Sequence, residues 1–187
     1  LGAGSKKLKS NNRSVYGIAN LSVKKPKYAE AIFRLIETCQ SNNMVELGTS
    51  LGVTSVYMSM ANPKGKITTI EGCTETAKIA KENFNLVNVK NVKLLEGNFD
   101  DVLPEVLKEG EFFDFVFVDG NHTYDATLRY FNLFKDNVSP NGIMVFDDIY
   151  WSEGMNKAWE EIKASPNAQC SVDIFEMGFI FFNKNME

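Results

Sequence analysis

What the chain has little of narrows the field before anything else. It carries one histidine, His122, so no site built from two or three imidazoles is available to it. Its three cysteines, Cys39, Cys73 and Cys170, are an odd number without the paired spacing of a zinc site. They read as reduced thiols of a cytoplasmic protein rather than a disulfide framework. No apolar run reaches the length that spans a bilayer, and no signal-peptide pattern opens the chain, so no membrane partner is expected. Internal repeats, low-complexity tracts and interdomain linkers are absent too. The first residue is Leu1 rather than methionine, as in a fragment or a processed chain.

What is present suits one globular domain: 187 residues, 44% of them hydrophobic and 24% charged. Charge is unevenly spread. Residues 1–28 hold seven bases (Lys6, Lys7, Lys9, Arg13, Lys24, Lys25 and Lys27) and no acid, which leaves thirteen bases against twenty-four acids in the remainder. We therefore divide the chain into a basic, flexible arm over 1–25 and a domain over 26–187. The arm reads either as a solvated terminus or as a flap over an anionic substrate such as RNA.

Beyond the arm, Pro26 suits a first helical position, and apolar residues at helical spacing predict a helix over 26–40. Strands are then expected over 44–48, 66–71, 92–96, 113–119 and 143–147, with helices over 53–60, 75–84, 101–108, 124–134 and 155–163. The run Phe115-Val116-Phe117-Val118 is continuously apolar, as a strand covered on both faces requires. Two last strands, 171–176 and 178–183, predict an antiparallel hairpin turning at Met177-Gly178. The pattern is an α/β fold: a doubly wound, mostly parallel seven-stranded sheet with a C-terminal hairpin. Such sheets bind ligands at the carboxyl ends of their strands, where the order reverses. Glu46, Gly48, Glu71, Asn98, Asp100, Asp119, His122, Asp147 and Asp148 all fall at those ends.

The glycine turn Gly48-Thr49-Ser50-Leu51-Gly52 is the centre of this arrangement. Its glycines allow a sharp bend and a close ligand, and the amides of 51–54 open a helix toward an acidic group. Short hydroxyls on Thr49, Ser50, Thr54 and Ser55 surround the spot. Read as G-x-S-x-G it would be a hydrolase elbow, but His122 lies too early in the chain and too few strands precede residue 44. A P-loop lacks its Lys-Ser/Thr pair. A nicotinamide site lacks its second glycine, since Thr49-Ser50 stand there.

What survives is E-x-G-x-x-x-G (Glu46, Gly48, Gly52) with an acid, Glu71, ending the second strand. With V-E-L-G-T-S-L-G-V-T-S, I-T-T-I-E-G, L-L-E-G-N-F-D-D-V-L-P, F-D-F-V-F-V-D-G-N-H-T-Y and I-M-V-F-D-D-I, the chain over 26–184 resembles the class I S-adenosylmethionine-dependent methyltransferases. Within them it is most similar to the catechol/caffeoyl-CoA O-methyltransferase-like branch. The resemblance implies S-adenosyl-L-methionine as cofactor. Glu71, followed by Gly72, would hold the ribose hydroxyls, and Gly48 would let the methionine part pass close to the backbone. Thr54 or Ser55 would sit near its carboxylate, and Glu46 below the turn. Asn98, Phe99 and Asp100 would lie about the adenine, and Asp119 at the amino group or a metal.

For the transfer itself, a hydroxyl acceptor must lose its proton, and an imidazole, changing charge near neutrality, suits that task. His122, with Asp119, is the catalytic candidate. Relatives of the catechol type bind a divalent cation through Asp, Asp and Asn; here Asp119, Asp147 and Asp148 hold those places, a set suited to Mg²⁺, Mn²⁺ or Ca²⁺. Tyr150 and Trp151 would wall an acceptor pocket. The expected function is O-methylation of a small-molecule hydroxyl, with RNA methylation on the same fold or a non-catalytic cofactor-binding module as alternatives. A homodimer is a partner the resemblance allows.

Overall fold

The computed structural model describes residues 16–17, 24–108 and 112–183. Most of the basic arm, residues 1–15 and 18–23, lies outside the described residues; Lys24 and Lys25 lie within them.

The described chain runs α1 (Pro26–Cys39), β1 (Asn43–Leu47), α2 (Val53–Ala61), β2 (Lys66–Glu71), α3 (Thr74–Leu86), β3 (Val92–Glu96), α4 (Phe99–Lys108), β4 (Phe113–Val118), α5 (Tyr124–Phe134), β5 (Val138–Asp147), α6 (Glu153–Lys163), β6 (Cys170–Asp173) and β7 (Met177–Phe181). The strands form one seven-stranded sheet in the order β3-β2-β1-β4-β5-β7-β6. Neighbours from β3 to β5 are parallel, while β7 runs antiparallel between β5 and β6. The order reverses between β1 and β4, and there the crevice for a ligand opens.

Side chains alternate across the central strands, so each apolar run feeds two cores. Val116 and Val118 face the layer that holds Leu103 of α4, Tyr130 and Phe134 of α5 and Trp159 of α6. Phe115 and Phe117 face the opposite layer, with Tyr28, Ile32 and Ile36 of α1 and Met58 of α2. Both faces of β4 are thus covered, which accounts for its lack of polar alternation.

Three boundaries differ from expectation for physical reasons. Strand β5 starts at Val138, five residues early: Val138 pairs with Phe113 and Ile143 with Phe115 across a register shift. That irregularity takes up Pro140, which has no N–H to donate to a ladder. The terminal turn falls at residues 174–176 rather than Met177-Gly178, with Phe175 at φ 76°. Gly178 sits inside β7 because Trp159 lies flat against it; a Cβ there would come within 2.6 Å of the indole. Helix α6 starts at Glu153, where the Ser152 side chain accepts from the Met155 amide. Among the described residues, no helix is long and apolar enough to cross a membrane.

Candidate functional site

The β1–α2 turn is shaped by its two glycines. Gly48 has φ 104°, and a Cβ on it would lie 2.0 Å from the Asp119 carbonyl oxygen. Its bareness serves first to seat the turn against the end of β4, where the Asp119 amide donates to Leu47 O at 2.8 Å. Gly52, at φ 79°, opens α2 and makes room for the Phe84 ring, 2.5 Å from where its Cβ would stand. The Gly52 amide is closed onto Thr49 O at 2.8 Å, so it is not among the amides that the turn offers to a ligand. A narrow cleft remains, lined by Gly48, Thr49, Ser50, Leu51, Val53, Thr54 and Asp119.

Not every hydroxyl of the turn faces that cleft. Thr49 Oγ1 lies 2.6 Å from Thr69 Oγ1, Thr69 Oγ1 donates to Glu46 Oε2 at 2.6 Å, and the Ser55 hydroxyl donates to the same oxygen. Thr49 and Ser55 thus point inward and tie the turn to β2 and to Glu46, leaving Thr54 and Ser50 nearer the rim. Glu46 is fully buried, its Oε1 without a hydrogen-bond partner among the described residues. Burial pushes its carboxyl up to about 8, against the opposing pull of the Ser55 and Thr69 hydroxyls.

Glu71, at the carboxyl end of β2, receives the Ser50 amide on Oε2 and the Cys73 amide on Oε1, both at 2.9 Å. Burial raises this carboxyl, and the amides of Cys73, Ser50 and Gly72 draw it back. Each oxygen keeps a second lone pair, the arrangement two ribose hydroxyls need. Around the expected adenine position, the Phe99 ring packs under Gly120 and edge-on to Tyr130, with centroids 5.8 Å apart. Asn98 caps α4 through its side-chain oxygen, 3.4 Å from the Asp100 amide. Asp100 is taken by Arg129 in a two-point pair, each contact 3.0 Å, which turns it toward α5.

Across the crevice, the ends of β4 and β5 gather the second group. Asp119, His122 and Asp147 offer ligand atoms that all lie within 4.8 Å of one another. His122 Nε2 is 3.6 Å from Asp119 Oδ1 and 3.9 Å from Asp148 Oδ2. The three-residue group therefore includes His122, with Asp148 behind it in a left-handed conformation at φ 52°. In the middle stands a residue that the sequence reading placed in the arm. Lys24 Nζ donates to Asp147 Oδ2 and lies 3.3 Å from Asp119 Oδ2. Burial alone would push the Lys24 ammonium down, but Asp119 and Asp147 together outweigh it and hold it above lysine's ordinary range.

A divalent cation is what the resemblance implies for these acids, and the cluster as arranged does not fit one. The ion would need the Asp119 and Asp147 carboxylates, each of which already turns one oxygen to Lys24. It would also face the ammonium at about 4 Å, where a single and a double positive charge repel by about 8 kcal/mol at an effective dielectric near 20. Nothing local in the sequence announces Lys24: its partners lie 95 and 123 residues away. The one available signal is a Lys-Lys pair directly before the proline that starts α1.

A family model described as a methyltransferase domain matches residues 45–149. A catechol O-methyltransferase of Niastella koreensis is 30% identical over 143 residues, covering 75% of this chain and 63% of that protein. O-methyltransferase imqG of Aspergillus flavus is 30% identical over 111 residues, covering 56% and 44%. The chain thus spans less than two thirds of either relative. Among solved structures, the O-methyltransferase from Bacillus cereus, in complex with SAH, superposes with TM-score 0.75 at 22% identity, covering 87% of this chain and 84% of that one. TomG from Streptomyces achromogenes, in complex with SAM, gives 0.77 at 21% identity, covering 86% and 82%. At such identities the likeness is one of fold.

Proposed function

The chain belongs to the methyltransferase domain family, and from that premise we propose that it transfers a methyl group from S-adenosylmethionine to a hydroxyl oxygen of a small molecule. The observation that carries this reading is a meeting of parts at the reversal of strand order. The Gly48 turn and Glu71 lie on one side, and Asp119 with His122 on the other. Elements of that kind suit an adenosine joined to an amino acid: Glu71 accepts from two hydroxyls, the turn admits an extended chain, and Asp119 accepts from an ammonium. When bound, S-adenosylmethionine supplies an electrophilic methyl on a sulfonium.

The chain's own residues do the rest. His122 takes the proton of the acceptor hydroxyl, and Asp119 and Asp148, beside it, stabilise the imidazolium that results. Buried Glu46, with Thr49, Thr69 and Ser55, keeps the turn in place from behind. Exposed aromatics after β5 and in the β6–β7 turn favour a small aromatic acceptor: Tyr150 lies 5.9 Å from Phe175 between ring centroids, and Trp151 follows it in the chain. The relative named as a catechol O-methyltransferase supports the same class.

Calorimetry with S-adenosylhomocysteine is the direct test. Wild-type protein is expected to bind, and Glu71→Ala to lose about 1–3 kcal/mol, the worth of charged hydrogen bonds left unmade. Absence of binding heat in the wild type would overturn the reading.

A further inference from the structure

We propose that Lys24 is the built-in cation of this site: its ammonium holds the place between Asp119 and Asp147 that a divalent metal ion would otherwise take, so the chain itself offsets part of the cluster's negative charge. Only the catalytic consequence of this rests on the methyl-transfer reading; the exclusion of a metal does not.

Geometry carries the inference from three sides. First, the contacts are those of a resident ion. Lys24 Nζ reaches a carboxylate on each of two adjacent strand ends, Asp147 on β5 and Asp119 on β4, and its side chain is only 12% exposed. Second, the ammonium is held there by structure on its own side. Lys24 stands two residues before Pro26, the first residue of α1, whose buried face (Tyr28, Ile32 and Ile36) is locked into the core against β4 and β5. Next to it, the Lys25 carbonyl accepts the first α1 amides, while its side chain pairs with Glu176 in the β6–β7 turn. Lys24 is therefore anchored from its C-terminal side, through Lys25 and the start of α1. Third, Asp147 is the most enclosed acid of the group, with a side chain 1% exposed and Oδ1 lacking a partner among the described residues. Its carboxylate offers a ligand atom within 4.8 Å of those of Asp119 and His122, the donor a metal would recruit once the ammonium was gone.

Lys24 is thus a positioning residue. It keeps two like-charged carboxylates together at the strand ends and holds Asp119 beside His122, without itself being required to touch the reacting atoms.

The test is Mn²⁺ binding to the full chain, read without cofactor from the electron paramagnetic signal of free Mn²⁺. Wild type and Lys24→Arg are expected to bind weakly and alike. Lys24→Ala and Lys24→Gln are expected to bind at least about tenfold more tightly, and adding Asp147→Asn to Lys24→Ala should reverse the gain. The arginine variant separates a cation's role from a merely structural one, since lost packing would not be restored selectively by charge. The glutamine variant keeps the side-chain stem if the alanine variant fails to fold, which thermal melting will show. Wild-type binding as tight as that of the neutral variants would overturn the proposal, as would neutral variants that fold yet bind no better than wild type. Turnover of the wild type should also be insensitive to EDTA, and a requirement for added Mg²⁺ would count against it. If wild type fails to bind S-adenosylhomocysteine, the methyl-transfer reading falls while the Mn²⁺ comparison still decides the place of Lys24.

Discussion

At the scale of single residues, the site separates groups that face the crevice from groups that hold it up. His122 belongs to the first kind: its imidazole is a quarter exposed and lies between Asp119 and Asp148. Removing a general base costs about 10²–10⁴ in rate and little in ground-state binding. His122→Gln should therefore lower kcat in that range while leaving S-adenosylhomocysteine affinity within about twofold, measured by calorimetry beside steady-state kinetics. Equal loss in both would mean that His122 holds cofactor instead. Thr49 and Ser55 belong to the second kind. Sequence reading marked them as ligands because a hydroxyl beside a glycine turn looks alike whichever way it points; burial among Thr69 and Glu46 decides the direction. Asp100 is a similar case: its place at the start of α4 was legible, its capture by Arg129 was not.

Elements were more readable than contacts. Apolar runs, helical spacing and turn signals located every strand of the sheet and the helices described beside it, because burial leaves a local trace in the sequence. Where the start of β5 and the terminal turn moved, a long-range contact had intervened, whereas the start of α6 moved with a local cap. Gly178 is the clearest instance: beside Met177 it reads as a turn, yet it is a strand residue emptied to admit Trp159 from α6. Gly178→Ala should thus behave as an overpacking change, destabilising by about 1–3 kcal/mol in urea titrations and shifting the tryptophan fluorescence as the indole is pushed from its seat. An alanine variant as stable as wild type, with unaltered emission, would restore the turn reading.

At the scale of the whole molecule, a buried acid beneath the ligand turn makes stability depend on pH. Glu46 titrates at about 8 in the folded chain and near 4.5 when exposed. Below the lower value both states hold the proton and nothing is lost. As pH rises through the interval the unfolded chain releases its proton first, so stability falls until the folded pKa is passed. Glu71, raised in the same direction, adds to this slope; Lys24, raised above its ordinary value, acts only at strongly alkaline pH. Comparing wild type with Glu46→Gln isolates the first contribution. The wild-type melting temperature should drop between about pH 5 and 8, and the variant's should drop less and lie higher at pH 8. Parallel curves would mean that Glu46 is ionised in the fold.

The sequence by itself determined the class of sheet, the order of its elements and the crevice at which the acidic strand ends meet, since all three follow from short-range patterns of apolar residues, glycines and turns. Only the tertiary structure decided which acids share a space and what neutralises them. Lys24 and Asp147 stand 123 positions apart, and a contact made through folding leaves no mark in the local pattern of either. Charge balance at a buried cluster depends on distance and desolvation, and those exist only once the chain has closed.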